Sequence, residues 1–302
     1  MSAVAGNPSE LRLPAAAAPL AVGASRRTIR VRFKLWAGGL IVLALILLGI
    51  FGPIIAPYDP NEQHLGDSLV APQWFAAPHF LGTDNLGRDI LSRIMHGAQI
   101  SLIIAVAVVA ISGTIGILLG AISGYAGGKT DFLIQKVVEV IWAIPSLLLA
   151  IAILTFLGQT LFNLIVALSV QRWINYCRVV RGEALSIRQR EFVTAARVIG
   201  ARHPRIILRH VVPNLIPSSL VVATFSMAVA IIAEASLSFL GLGVPPSIPT
   251  WGTMLADGRN YISTAPWLTV FPGLAIFVVV LGINLLGDGL RDVLDPRLKV
   301  AN

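Results

Sequence analysis

Cysteine is almost missing. Cys177 is the one thiol in 302 residues, which excludes an intrachain disulfide and a thiolate metal cluster. Charge is scarce too. Asp, Glu, Lys and Arg make up 13% of the chain, against roughly 25% in soluble globular domains, which excludes a water-soluble fold. The five histidines (His64, His79, His96, His203 and His210) are scattered and show no metal-ligand spacing. No serine occupies a Gly-x-Ser-x-Gly elbow. The segment Ser123-Gly124-Tyr125-Ala126-Gly127-Gly128-Lys129-Thr130 approaches a phosphate-binding loop, but Ser123 stands where the first glycine belongs. It also follows an apolar run instead of a strand. The residues therefore offer no catalytic constellation and no cofactor site, so any ATP hydrolysis that drives this protein belongs to another chain.

What the chain has in quantity is apolar sequence: 56% hydrophobic residues and a mean hydropathy of +0.80. A helical span needs about 20 apolar residues. Runs this continuous also exclude the alternating strands of a membrane barrel. Six spans are expected, at 35–58, 98–122, 133–157 (with Pro145 inside), 161–177, 214–238 and 267–287. The predicted fold is an all-α polytopic membrane protein. Residues 1–25 are Ala/Pro-rich and read as a disordered cytoplasmic tail, and 26–58 hold a basic flank and the first span. An extracytoplasmic segment covers 59–96, and a five-helix core covers 97–292. The core includes a loop at 181–213, and a cytoplasmic tail follows at 293–302. With the N-terminus in the cytoplasm, 20 of the 23 Lys and Arg fall on that side, leaving Arg88, Arg93 and Arg259 outside. That is the usual orienting bias, and it puts both termini in the cytoplasm. The net charge of +8 is thus a topology signal and calls for no nucleic acid partner. In the outer segment, Leu81 to Asp89 reads as a turn into a helix capped by Thr83 or Asp84.

The stretch that organises the chain runs from Arg188 through Gly200 to Pro213. Phe192, Ala195, Ala196 and Ile199 recur at i, i+3, i+4 and i+7, which predicts one apolar helix face. Arg188, Arg190, Thr194 and Arg197 fall elsewhere. Gly200 permits a sharp turn, Pro204 can open a second short helix, and Pro213 interrupts the chain before the next apolar run. A small, basic helix-turn-helix between two hydrophobic segments is either a solvated loop or a docking element for a soluble partner.

Two acidic residues stand out. Glu139 follows Lys136 by three positions and can pair with it, a structural role. Glu234, within Ile231 to Ser236, has no basic neighbour in sequence. An intramembrane carboxylate is a functional-site candidate by default, yet the small residues around it, including Ser236 and Ser238, also suit close helix packing. Glu234, Ser236 and Ser238 are candidate pore or gating residues.

The docking stretch resembles the EAA loop of ABC-importer permease subunits, Glu-Ala-Ala, three residues, Gly, nine residues, Ile-x-Leu-Pro. Here Ala195-Ala196, Gly200 and His210-Val211-Val212-Pro213 keep the spacing, with Thr194 in place of Glu, His210 in place of Ile and Val212 in place of Leu. Four more stretches (Leu81 to Arg93, Ala235 to Gly243, Trp251 to Leu255 and Asn284 to Pro296) are similar to the C-type permease of dipeptide, oligopeptide and nickel importers. The resemblance covers roughly 27–299. It implies the ABC type I importer permease fold in a bacterial inner (cytoplasmic) membrane, a homologous second permease completing the pore, and an extracytoplasmic solute-binding protein. It also implies two ATPase subunits carrying ATP and Mg. The coupling residues would be Arg190, Glu191, Phe192, Thr194, Ala195, Ala196, Arg197, Gly200 and Ala201, with Glu191 the nearest substitute for the missing Glu. A short peptide is the expected cargo, with nickel and glutathione-like peptides as alternatives. A secondary transporter would share the basic-inside bundle but leave the docking loop unexplained, and a signalling or scaffold protein would need a soluble effector domain.

Overall fold

The computed structural model describes residues 22–73 and 79–294. Among them all regular structure is helical, apart from one isolated bridge between Thr83 and Asp89. The first helix, α1, spans Val22–Ile55, so it begins inside the expected disordered tail. The rest of that tail, and most of the C-terminal one with Arg297 and Lys299, lie outside the described residues. α1 packs along the final helix, α10 (Trp267–Leu294). The two backbones approach so closely that a Cβ on Gly38 would strike the Leu286 amide and one on Gly282 the Ile41 side chain. Lys34 and Asp292 close the cytoplasmic end of this pair at 3.1 Å. Trp36, Leu40 and Ile54 are left on the outer side, exposed, as a lipid-facing helix requires.

The second helix, α2 (Ile90–Ala126), is longer than its expected span. Its N-cap is Asp89, whose carboxylate accepts from the Ser92 amide and hydroxyl at 2.8 Å each. The expected caps have other work. Thr83 pairs across the turn, and Asp84 accepts from the amides of Leu86 and Arg88 and from Arg88 Nε at 2.6 Å. Arg88 and Arg93 also meet Asp257 at 3.1 and 3.5 Å. A buried charge network therefore ties the start of α2 to α9 (Trp251–Gly258). It is consistent with the buried-pair rule that each charge needs partners in place.

Helix α5 (Leu161–Ile187) lies along α2 through a small-residue seam. A Cβ at Gly116 would meet the Trp173 carbonyl. At Gly120 it would lie 2.6 Å from the Cys177 oxygen, and at Gly124 2.6 Å from the Arg181 oxygen. Glycine every fourth residue lets the helices touch backbone to backbone.

The expected third span is not one helix. α3 (Gly128–Trp142) and α4 (Ser146–Leu157) meet at an 82° bend, because Pro145 cannot supply an amide to the helix and disfavours helical geometry before it. Four helices (α1, α2, α10 and the segment His203–Phe239) have the length and apolarity of spans, and the bent pair makes a fifth. α5 is the sixth. It falls short in apolarity because Gln171, Arg172, Asn175 and Arg178 interrupt its second half. Arg172, counted with the cytoplasmic set from sequence, sits 15 residues before Ile187, about 22 Å of helix away from that end. Moving it leaves the charge imbalance intact.

Past α5 come α6 (Glu191–Val198), α7 (His203–Ile206), a π-turn at Ile207–Val211 and α8 (Val212–Phe239). Pro213 does not break the chain. It lies in the first turn of α8, where the widened turn before it makes room for a ring that would crowd the preceding carbonyl. α7 and α8 therefore run on as one span, His203–Phe239.

Candidate translocation groove and coupling element

Three cavities follow one another along α5 and α8. The first, about 280 Å³, lies at the α3–α4 break and is lined by Trp142, Ser146, Gln171, Arg172, Asn175 and Ala233 among others. The next, about 400 Å³, shares Arg172 and Asn175 with it and adds Val179, Val222 and Phe225. The last, about 850 Å³, shares those three and continues past Glu183 and Ser218 to Arg190 and Arg291. On α5 the lining positions 171/172, 175, 179, 183 and 186/187 recur with helical period, as do 214, 218, 221/222 and 225 on α8. A groove with apolar walls and scattered polar side chains thus leads from the middle of the bundle to the end where α6 sits.

Within it, Gln171 Nε2 donates to the carbonyls of Ile144 (2.7 Å) and Ile141 (3.3 Å). These acceptors were freed by the break, and the amide holds its two halves in place. Near the exit, Ser218 donates to Glu183 at 2.6 Å. Sequence reading missed this whole stripe. The signal was there: polar residues at helical spacing inside an otherwise apolar helix mark a face that avoids lipid.

The coupling element is built on α6. Only Val193 and Ala196 turn inward, buried at 0% and 5% exposure, and pack with Val180, Ala184, Ile206 and Val211. Ala196 therefore leaves the expected apolar face. Phe192, Ala195 and Ile199 remain together and point outward, joined by Val198, with Phe192 40%, Val198 81% and Ile199 83% exposed. Val193 does not fall on the predicted i, i+3, i+4 series, so the pattern alone did not reveal the inner face. Glu191 and Thr194 are exposed, and Glu191 is placed favourably in the first helical turn. Arg190 is the N-cap position. Helix α6 ends in a Schellman motif: the Gly200 amide donates to Arg197 O and the Ala201 amide to Ala196 O, both at 3.0 Å. Gly200 has φ +80°, the left-handed region that favours glycine.

Tyr125, at the end of α2, anchors both halves. Arg197 stacks 5.0 Å above its ring and donates from Nε to its hydroxyl at 3.3 Å. The same hydroxyl lies 3.1 Å from His203 Nδ1, and Arg188 donates to the Tyr125 carbonyl at 3.3 Å. Tyr125, too, was not foreseen. Lys136 and Glu139 pair as expected, at 2.7 Å on the surface.

The remaining candidates lie elsewhere. Glu234 is buried, and its Oε1 accepts from Ser238 Oγ at 2.7 Å. Ser238 in turn fills the space where Gly243 and Gly252 carry no side chain, so the pair sits where α8 meets α9. Ser236 is partly buried and donates to the Ile232 carbonyl at 2.7 Å. None of the three lines the groove described above, which passes α8 at Ala233.

A helical bundle with a groove along its middle and a short helix turning an apolar face outward on the basic side suits a transport permease. Residues 116–300 match the binding-protein-dependent transport system inner membrane component, and 35–78 match the N-terminal TM domain of oligopeptide transport permease C. The chain belongs to the first of these families, and is accordingly a multi-pass inner-membrane transport component and not an enzyme. It is 46% identical to the di/tripeptide transport system permease protein DppC of Pseudomonas aeruginosa, over 87% of this chain and 88% of that one. To the oligopeptide transport system permease protein OppC of Bacillus subtilis it is 42% identical, over 88% and 87%. The probable D,D-dipeptide transport system permease protein DdpC of Escherichia coli is 41% identical, over 85% of each chain.

Proposed function

We propose that this permease imports short peptides, and that it does so as one of two homologous permeases whose facing grooves form the pore. An extracytoplasmic solute-binding protein delivers the peptide, and two ATPase subunits, carrying ATP and Mg, drive the cycle from the cytoplasm. The peptide cargo is supported by the relatives' names, which specify di-, tri- and oligopeptides. The coupling route is supported by one observation above all, the outward apolar face of Phe192, Ala195, Val198 and Ile199 at the groove's cytoplasmic mouth. Exposed apolar side chains on that side are stabilised only when a partner covers them. Glu191, Thr194 and Arg190 rim this face and would contact the ATPase, while Arg197, Gly200 and Ala201 fix its angle. ATP-driven closure of the ATPases would move α6 and so switch the bundle between inward- and outward-open states, in proportion to the differential affinity for each.

The test is uptake of labelled dipeptide against nickel in a strain lacking the gene and complemented with it, with co-purification of the tagged permease. Dipeptide uptake and recovery of a second permease with two ATPase chains are expected. Nickel uptake without peptide uptake would replace the cargo assignment, and recovery of the permease alone would refute the assembly.

A further inference from the structure

The groove contains a cation that nothing described so far uses. Arg172 lies in the middle of α5, about 22 Å of helix from its cytoplasmic end and about 16 Å from the other. It lines both of the first two cavities. Among the described residues its guanidinium has no ion-pair or hydrogen-bond partner beyond electrostatic proximity to the Tyr176 phenol one turn on. Its basic neighbour in the groove is already engaged, since Arg178 stacks 4.0 Å above the Trp142 ring. A guanidinium held at bilayer depth in a cavity, without a carboxylate, is costly unless an anion visits it.

Two further groups converge on the same 280 Å³ cavity. Gln171 lines it too, with its Nε2 committed to the broken helix and its Oε1 buried behind the cavity wall, so its amide holds the wall in place. The N-terminus of α4, with Ser146 and Leu147 lining the cavity, presents first-turn amides that no helical carbonyl can accept. It adds the positive end of the helix dipole. Donors for an anion thus stand together, with Trp142, Leu147 and Leu168 supplying an apolar wall that makes no distinction among side chains.

We infer that this cavity binds the C-terminal carboxylate of the peptide in transit, with Arg172 and the α4 N-terminus taking the carboxylate. The inference rests on the peptide-import reading above and adds to it a specificity-determining residue inside the membrane. The fit is to what every short peptide shares, its carboxyl end, which suits a pore that must pass many sequences. The volume, at the lower edge of small-ligand pockets of about 300–1,000 Å³, holds a terminal residue and not a whole oligopeptide.

The experiment measures uptake by the complete transporter, normalised to assembled complex, for a labelled dipeptide and its C-terminal amide. The variants are Arg172→Lys, Arg172→Gln and Arg172→Met. Loss of a charge-assisted hydrogen bond predicts a fall in dipeptide uptake on the order of tenfold for Arg172→Gln and Arg172→Met. Amide uptake should change by less than about twofold, and Arg172→Lys, which keeps the charge but loses the planar fork, should fall between the parent and Arg172→Met. Equal losses for dipeptide and amide would overturn the inference. So would Arg172→Lys as poor as Arg172→Met, which decides the point even where the binding protein does not deliver the amide. A parent protein that takes up no dipeptide refutes the peptide reading itself and is distinct from either result.

Discussion

Replacing Gly120 by alanine tests whether the groove depends on backbone contact between α2 and α5. The added Cβ would lie 2.6 Å from the Cys177 carbonyl oxygen and 2.9 Å from both Val180 Cβ and Cγ1. Carbon contacts settle near 3.5–4.0 Å, so the helices must part by about 1 Å at this level, and such a gap forfeits a quarter to a half of each dispersion contact beside it. Those contacts are the ones made at Gly116 and Gly124. Overpacking of this kind costs about 1–3 kcal/mol, and alanine's better helix propensity returns about 1 kcal/mol. The net expectation is a loss of up to about 2 kcal/mol. Gly39→Ala is the matched control: the same chemistry in α1, where a Cβ would have nothing within 4 Å, should be neutral or stabilising by up to about 1 kcal/mol. Thermal inactivation of the solubilised transporter, followed by size-exclusion, reads both. A lower midpoint for Gly120→Ala together with an unchanged or higher one for Gly39→Ala is expected. Equal midpoints would refute the idea that the seam is closed to a single methyl.

Gly200→Asp should leave the permease assembled, because a Cβ there has open space around it. The residue must still hold φ +80°, which strains the end of α6 by about 1–2 kcal/mol. The expected readout is ATP hydrolysis that no longer rises with peptide delivery, and parent-like uptake would contradict the coupling role. Phe192→Ala should weaken recovery of the ATPase chains while the permease's own melting point stays put, since the ring is 40% exposed in the chain; a fallen melting point would show that the ring is structural. Asp84→Ala removes the acceptor of Arg88 Nε and two backbone amides. It should cost about 3–5 kcal/mol and show as a large drop in folded yield, whereas near-normal yield would mean that Asp257 alone suffices. Gln171→Leu removes the side-chain donor to the Ile144 carbonyl, while Ile141 keeps the Ile144 amide, at a cost of about 1 kcal/mol, so uptake should fall together with stability; unaltered values of both would remove the amide from the hinge.

The sequence carried the outline further than the interior. Apolar run lengths and the side on which Lys and Arg gather are properties of composition, and they placed an apolar segment on each of the spanning helices, although α2, α5 and the segment ending in α8 run well past the expected bounds. Gly200 and Pro204 were legible because backbone geometry leaves glycine and proline few substitutes. Three features escaped for a common reason, which is that pairing across helices has no local signature. The inward turn of Val193 depends on the wall formed by α5 and the π-turn. Asp84 looked like a cap because the shared engagement of Arg88 and Arg93 by Asp84 and the far-off Asp257 cannot be read from its neighbours. Arg172 looked cytoplasmic because an arginine near the end of an apolar stretch usually is. Only the extension of α5 to Ile187 puts it deep in the bundle, and only the break in the neighbouring helix gives it a cavity to face.

The continuous segment from His203 to Phe239 holds 37 residues, about 55 Å of helix, more than the 40–45 Å of a whole bilayer with its headgroups. Its inner end is fastened through His203 to Tyr125, and its outer end, through Ser238 and Ala235, abuts the short helix at Trp251–Gly258. A segment held at both ends in this way ties a shift at one end to the other, with the π-turn and Pro217 near its inner end the places where it can bend. The face that admits cargo and the face that meets the motor would then be linked through a single piece of backbone, with no relay of side chains required between them.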